Sequence, residues 1–79
     1  MKIADRVVVV TGAGSGIGRA LCQRFAKEGA AGVVAADLNA QAAAATAGTI
    51  GSQAMGLGVD VTEQAQVDAL VSAVLERYG

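Results

Sequence analysis

An α/β architecture with a parallel sheet is predicted, in the order strand, helix, strand, helix, strand, helix. Three observations point to it. Short apolar runs close on Gly or Asp near positions 10, 36 and 59. Longer segments with helical spacing or helix-forming composition follow each run. The chain is also apolar and charge-poor: of 79 residues, 53% are hydrophobic and 16% charged, against about 25% charged in ordinary domains. That balance suits strands covered on both faces.

The elements follow in order. Arg6–Thr11 contains four valines ahead of Gly12. β-Branching and the following glycines favour a strand. Nothing polar alternates within it, so both faces are expected to be buried. Ile17 to Glu28 reads as a helix. Ile17, Leu21 and Phe25 fall four apart on one face, expected to pack inward. Arg19, Arg24, Lys27 and Glu28 supply the wet side, with Arg24 and Lys27 suited to the negative end of the dipole. Gly29 is the stop. Gly32–Ala36 is a second strand, ending at Asp37. Leu38 to about Gly48 is alanine-rich and so helical, with Gly48 and Gly51 bracketing its end.

Ala54–Val59 is the weakest strand, because Gly56 and Gly58 lower its propensity. It ends at Asp60-Val61. Thr62 is expected to cap the last helix, with Glu63 near its positive end. Ala65 leaves no capping box from that position. Val67, Leu70, Val71, Val74, Leu75 and Tyr78 then keep the i, i+3, i+4, i+7 pattern, with Tyr78 a packing residue. Alternation with short connections implies right-handed crossovers and three parallel strands, half of a doubly wound sheet.

Composition excludes several chemistries. A net charge of −1 lacks the basic excess of a nucleic-acid binder. With no His and only Cys22, a multi-ligand zinc site or iron–sulfur cluster cannot be assembled, so no metal is expected. A Ser-His-Asp or Cys-His unit is likewise excluded, as is an internal disulfide. Cys22 reads as a small buried helix residue. The N-terminus, Met1-Lys2-Ile3-Ala4-Asp5-Arg6 before four valines, is too short in its apolar part for a secretory signal. No run approaches the ~18 apolar residues of a membrane span. A soluble, cytoplasmic protein without a membrane partner is expected. A chain this short buries only about 60% of its unfolded surface, which fits all-apolar strands poorly. Residues 1–79 are therefore expected to be part of a larger domain.

The chemistry is expected at Thr11-Gly12-Ala13-Gly14-Ser15-Gly16-Ile17-Gly18, between the first strand and first helix. A helix N-terminus offers unpaired N–H groups and partial positive charge, so anions bind there. A phosphate needs close backbone approach, and the turn needs positive φ. Glycines at 12, 14, 16 and 18 serve both demands. The pattern G-x-G-x-x-G fails literally, since its third glycine would fall at Ile17 or Arg19. A P-loop fails because no Lys-Ser or Lys-Thr follows. T-G-x-x-x-G-x-G fits, with Thr11, Gly12, Gly16 and Gly18 in place. This segment resembles the short-chain dehydrogenase/reductase family, whose nucleotide-binding domain is of the Rossmann type.

Asp37 lies 19 residues after Gly18, and an acidic residue about 20 positions on accepts hydrogen bonds from the adenosine ribose. It would repel the 2′-phosphate of NADP by roughly 4 kcal/mol at a surface-like dielectric. Neither Ser15 nor the adjacent Leu38 is basic, and Arg19 lies beyond the loop on the helix. NAD is therefore expected over NADP. Gly58-Val59-Asp60-Val61-Thr62 resembles the family's third-strand Asp-Val segment. That implies adenine contacts from the Asp60 side chain and the Val61 N–H, although a solvated aspartate beside a helix N-terminus would read the same way. The resemblance also places the Ile17 backbone and Ser15 along the cofactor phosphates, leaving the Ile17 side chain for the core. The expected binding set is Gly12, Ser15, Gly16, Ile17, Gly18, Asp37, Leu38, Asp60 and Val61.

The resemblance covers the whole chain but only about the first third of the family's domain. The family's Asn-Asn-Ala-Gly segment, catalytic Ser and Tyr-x-x-x-Lys have no counterpart: one residue follows Tyr78, and Lys2 and Lys27 precede it. No catalytic residue is assigned, and these 79 residues alone are expected to be inactive. The resemblance implies hydride transfer between the dinucleotide and a small alcohol or carbonyl in the complete protein, as a homo-oligomer. Without further strands, Val7–Val10 would form an open apolar edge. Two other readings remain at this point. One is a stand-alone, non-catalytic nucleotide-binding module. The other is a different dinucleotide or flavin protein, disfavoured by the missing G-x-G-x-x-G register.

Overall fold

Three strands and three helices alternate along residues 3–79, the part of the chain that the computed structural model describes. Met1 and Lys2, the start of the N-terminal segment read for a signal, lie outside the described residues. The elements are β1 (Val7–Thr11), α1 (Gly16–Lys27), β2 (Gly32–Asp37), α2 (Ala40–Ile50), β3 (Ala54–Gly58) and α3 (Gln64–Tyr78). The strands are all parallel in the order β1-β2-β3, with Val8 opposite Val33 and Val33 opposite Ala54. The predicted α/β fold is this one.

The central strand β2 is buried from Gly32 to Ala36. Successive side chains of a strand point to opposite faces. Val33 and Ala35 join Val10, Cys22 and Ala47 under α1 and α2. Val34 and Ala36 join Val59 and Leu70 under α3. Helices thus cover both faces, as continuous apolar strands require.

For β1 the expected burial holds on one face only. Val10 is buried and Val8 half-buried on the α1 side, but Val7 and Val9 are 38% and 45% exposed. The reason is where α3 sits. Leu70, Val74 and Tyr78 rest over β2 and β3, while Val71 and Leu75 of the same apolar stripe stay exposed. A space of about 290 Å³ lies between that stripe and Val9.

The inward face of α1 also differs from expectation. Ile17 is 81% exposed and Leu21 41%. The buried residue is Cys22, with Phe25 and Ala26 packed beside it. Gly18 decides this: a Cβ there would collide with the Gly12 carbonyl. The helix therefore lies tight against the loop along Gly18, Cys22 and Phe25, an i, i+4, i+7 row. Ile17 and Leu21 fall outside that row.

Helix α2 starts at Ala40 and runs to Ile50, later at both ends than the composition indicated. Asn39 sets the start by accepting the Ala42 N–H at 3.1 Å, as N-caps do. Ala43, Thr46 and Ala47 face inward. The glycine that weakens β3 as a strand also serves this packing: a Cβ on Gly56 would stand 2.5 Å from the Ala43 carbonyl oxygen.

Thr62 does not cap α3. Glu63 occupies the cap position without a side-chain bond. The Thr62 N–H and hydroxyl instead donate to Asp60 Oδ1 at 3.0 and 2.6 Å. Gln66 reaches back, its Oε1 accepting the Asp60 N–H at 2.8 Å. At the other end the Tyr78 hydroxyl donates to the Gln53 carbonyl at 2.9 Å, a packing role as expected. No helix among the described residues is long and apolar enough to cross a membrane.

Candidate functional site

Parallel strands deliver all their C-terminal ends to one edge of the sheet, where doubly wound folds bind ligands. At that edge lies an open cleft of about 370 Å³, within the usual range of small-molecule sites. Of the nine expected residues, Gly12, Asp37, Leu38, Asp60 and Val61 line it. Ser15, Gly16, Ile17 and Gly18 stand beyond it, around the first turn of α1. Thr11, Ala36, Val59 and Thr62 also line the cleft and stand outside the expected binding set. Each adjoins an expected residue at a strand end, which is the signal that could have found them.

The four loop glycines divide into two pairs. Gly12 and Gly16 have φ of 67° and 58°, the left-handed region that side chains disfavour. Gly14 and Gly18 are needed for space: a Cβ on Gly14 would meet Ala42 and Asp37, and one on Gly18 the Gly12 carbonyl. Ser15 is the exposed cap residue of α1, and its side chain makes no capping bond. The first turn carries no acidic side chain. The helix therefore brings no acidic side chain of its own to its positive end, where anions are favoured. Ile17 meets this end through its backbone alone. Its exposed side chain overturns the core role expected for it.

Ala13 pins the loop at two points. Its N–H donates to the Ala36 carbonyl at 3.0 Å. Its carbonyl accepts the Thr46 hydroxyl at 2.8 Å, and both residues are fully buried. Thr46 stands 33 residues from Ala13, so no local pattern could announce it.

Asp37 closes β2 with both oxygens engaged. Oδ1 accepts the Asn39 N–H at 2.9 Å and Oδ2 the Gly14 N–H at 2.8 Å. The Asn39 amide first, and then the Gly14 amide, hold this carboxyl below the usual range. Each carboxylate oxygen has two lone pairs, so room remains for donors arriving from the cleft. Asp60 is held low in the same way, by the Thr62 hydroxyl first and its backbone N–H second. Two aspartates and no Lys or Arg line the cleft. Such a surface accepts hydroxyl and amino donors and repels phosphate, while the bare helix end beside it attracts phosphate.

Comparison with known proteins gives the chain's family. Residues 6–79 match the family described as short chain dehydrogenase. The chain is 42% identical over 79 residues to a sorbitol dehydrogenase of Cereibacter sphaeroides, covering 100% of the chain and 30% of that protein. It is 43% identical to a galactitol 2-dehydrogenase of Agrobacterium fabrum, with the same coverage. Among solved structures, a 3-ketoacyl-(acyl-carrier-protein) reductase from Brucella melitensis complexed with NADH superposes with a TM-score of 0.93 at 42% identity. That match covers 98% of this chain and 31% of the other. A short-chain dehydrogenase/reductase from Burkholderia phymatum in complex with NAD gives 0.92 at 40% identity, covering 100% and 29%. The chain thus spans about three tenths of the length of these relatives.

Proposed function

The chain belongs to the short-chain dehydrogenase family, and on that premise we propose that it is the NAD(H)-binding front portion of a larger oxidoreductase acting on an alcohol or carbonyl. The observation that carries the reading is the Asp37 carboxylate, fixed by two backbone amides on a cleft that has no basic side chain.

The residues present fit a dinucleotide. Gly14 and Gly18 leave backbone where a Cβ would fill the loop, and the cleft beside it, about 370 Å³, falls in the range of small-molecule sites. The amides of Gly16, Ile17 and Gly18, with Gly12 and Ser15, would hold the pyrophosphate at the positive end of α1. Asp37 would accept the ribose hydroxyls, with Leu38 against the same face. Asp60 and the Val61 N–H would meet the adenine edge. When bound, the nicotinamide supplies the hydride donor or acceptor. These residues bind and orient. The groups that handle protons and substrate are assigned to parts of the complete protein outside residues 1–79. Tyr78, the sole tyrosine, already donates its hydroxyl to Gln53.

Affinities for NADH and NADPH, measured by fluorescence titration of the complete reading frame, test the proposal. A 2′-phosphate near Asp37 meets a like charge, weakened where the carboxylate faces water and salt. NADH is therefore expected to bind at least about tenfold tighter, a margin worth 1.4 kcal/mol. Asp37→Asn should narrow that margin. Equal affinities, or a preference for NADPH, would refute the assignment of NAD.

A further inference from the structure

We infer that Gly14 is a positioning residue for dinucleotide selection: its N–H and its missing side chain together hold the Asp37 carboxylate at the lip of the cleft. The inference rests on the role proposed for Asp37.

Nothing in the T-G-x-x-x-G-x-G pattern asks for glycine at position 14. Its backbone does not ask either, for φ is positive at Gly12 and Gly16 but not at Gly14. What the position lacks is room. A Cβ there would stand 2.6 Å from Ala42 Cβ and 2.9 Å from Asp37 Oδ2. Both neighbours belong to the device that fixes the carboxylate. Asp37 has two amide donors, Gly14 and Asn39, and Asn39 in turn caps α2 through the Ala42 N–H. A side chain at position 14 presses on the carboxylate and on the helix turn that carries its other donor. The Gly14 N–H is also spent on Asp37, so this glycine serves the ribose side of the site and not the phosphate side. Larger residues at 14 should therefore alter which dinucleotide is chosen, without removing the phosphate cradle.

The test compares NADH and NADPH dissociation constants in the complete protein for wild type, Gly14→Ala, Asp37→Ala and the double variant. Gly14→Ala is expected to weaken NADH about tenfold and NADPH less than threefold, and to change nothing further once Asp37 is Ala. If Asp37→Ala leaves the NADH/NADPH ratio at the wild-type value, the role of Asp37 itself fails and this inference falls with it. If Asp37→Ala shifts the ratio and Gly14→Ala does not, the inference alone is overturned. Equal weakening of both dinucleotides by Gly14→Ala in both backgrounds would make Gly14 a packing residue only, which also overturns it. Should Gly14→Ala not fold, Gly14→Ala with Ala42→Gly removes the closest contact while keeping the one to the carboxylate, and its ratio decides. In the wild-type protein the Gly14 amide proton should shift in NMR spectra as Asp37 titrates. An amide that ignores that titration overturns the inference whatever the variants do.

Discussion

Replacing Thr46 by valine removes one hydroxyl from a place that water does not reach. Thr46 and Ala13 are both 0% exposed, and the hydroxyl lies 2.8 Å from the Ala13 carbonyl. Valine keeps the shape and offers a methyl in place of the donor. A C–H···O contact sits at about 3.3 Å or more, so α2 must also back away from the loop by about 0.5 Å. The main cost is the buried carbonyl left without that donor, about 1–3 kcal/mol. A central value near 2 kcal/mol lowers Tm by about 4–8 °C in a protein of 150–250 residues, and by about twice that in a chain of 79. Thermal melts and urea titrations followed by circular dichroism measure this directly. Thr46→Ser keeps the donor and loses a methyl group, about 0.8 kcal/mol, so it should fall between wild type and valine. A Thr46→Val protein melting within about 1 °C of wild type would refute the claim that this bond pins the glycine loop.

Two further outcomes are expected. Cys22 is fully buried and burial pushes its thiol pKa up, so a thiol reagent should label it only as the protein unfolds; labelling of the native protein at the rate of a free cysteine would contradict the placement of α1. Asp37 and Asp60 both lie below the ordinary 3.8 when folded, so their stabilisation is present above that value and lost as pH falls through the lower folded values. Urea midpoints should drop on acidification below about pH 4, less steeply in Asp37→Asn and Asp60→Asn, and a midpoint that rises there would be the opposite sign.

The order of elements and the cleft residues Gly12, Asp37, Leu38, Asp60 and Val61 were legible because both depend on local chemistry. Apolar runs punctuated by Gly and Asp mark parallel strands. The glycine loop and the aspartates at 37 and 60 fall at strand ends by simple counting. The faces of the helices were less legible. Ile17, Leu21 and Phe25 make a convincing apolar row, yet the row that packs begins at Gly18, which no hydrophobicity pattern marks as inward. Thr62 looked like a cap and is spent on Asp60. Thr46 and Gln66 act through partners outside their own helices, and a polar side chain carries no local sign of a distant carbonyl or amide.

Strand β2 reads Gly-Val-Val-Ala-Ala-Asp, and its two faces take Val33 with Ala35 and Val34 with Ala36. A slip of one residue ordinarily throws the hydrophobic set into water. Here it would exchange one valine and one alanine for another such pair, with both faces still covered. Greasiness cannot tell the two registers apart. The distinction is left to the ends of the strand, above all to Asp37, whose carboxylate meets the Gly14 amide in one register only. The acidic group proposed to read the ribose is thus also the stop that keeps the central strand in step.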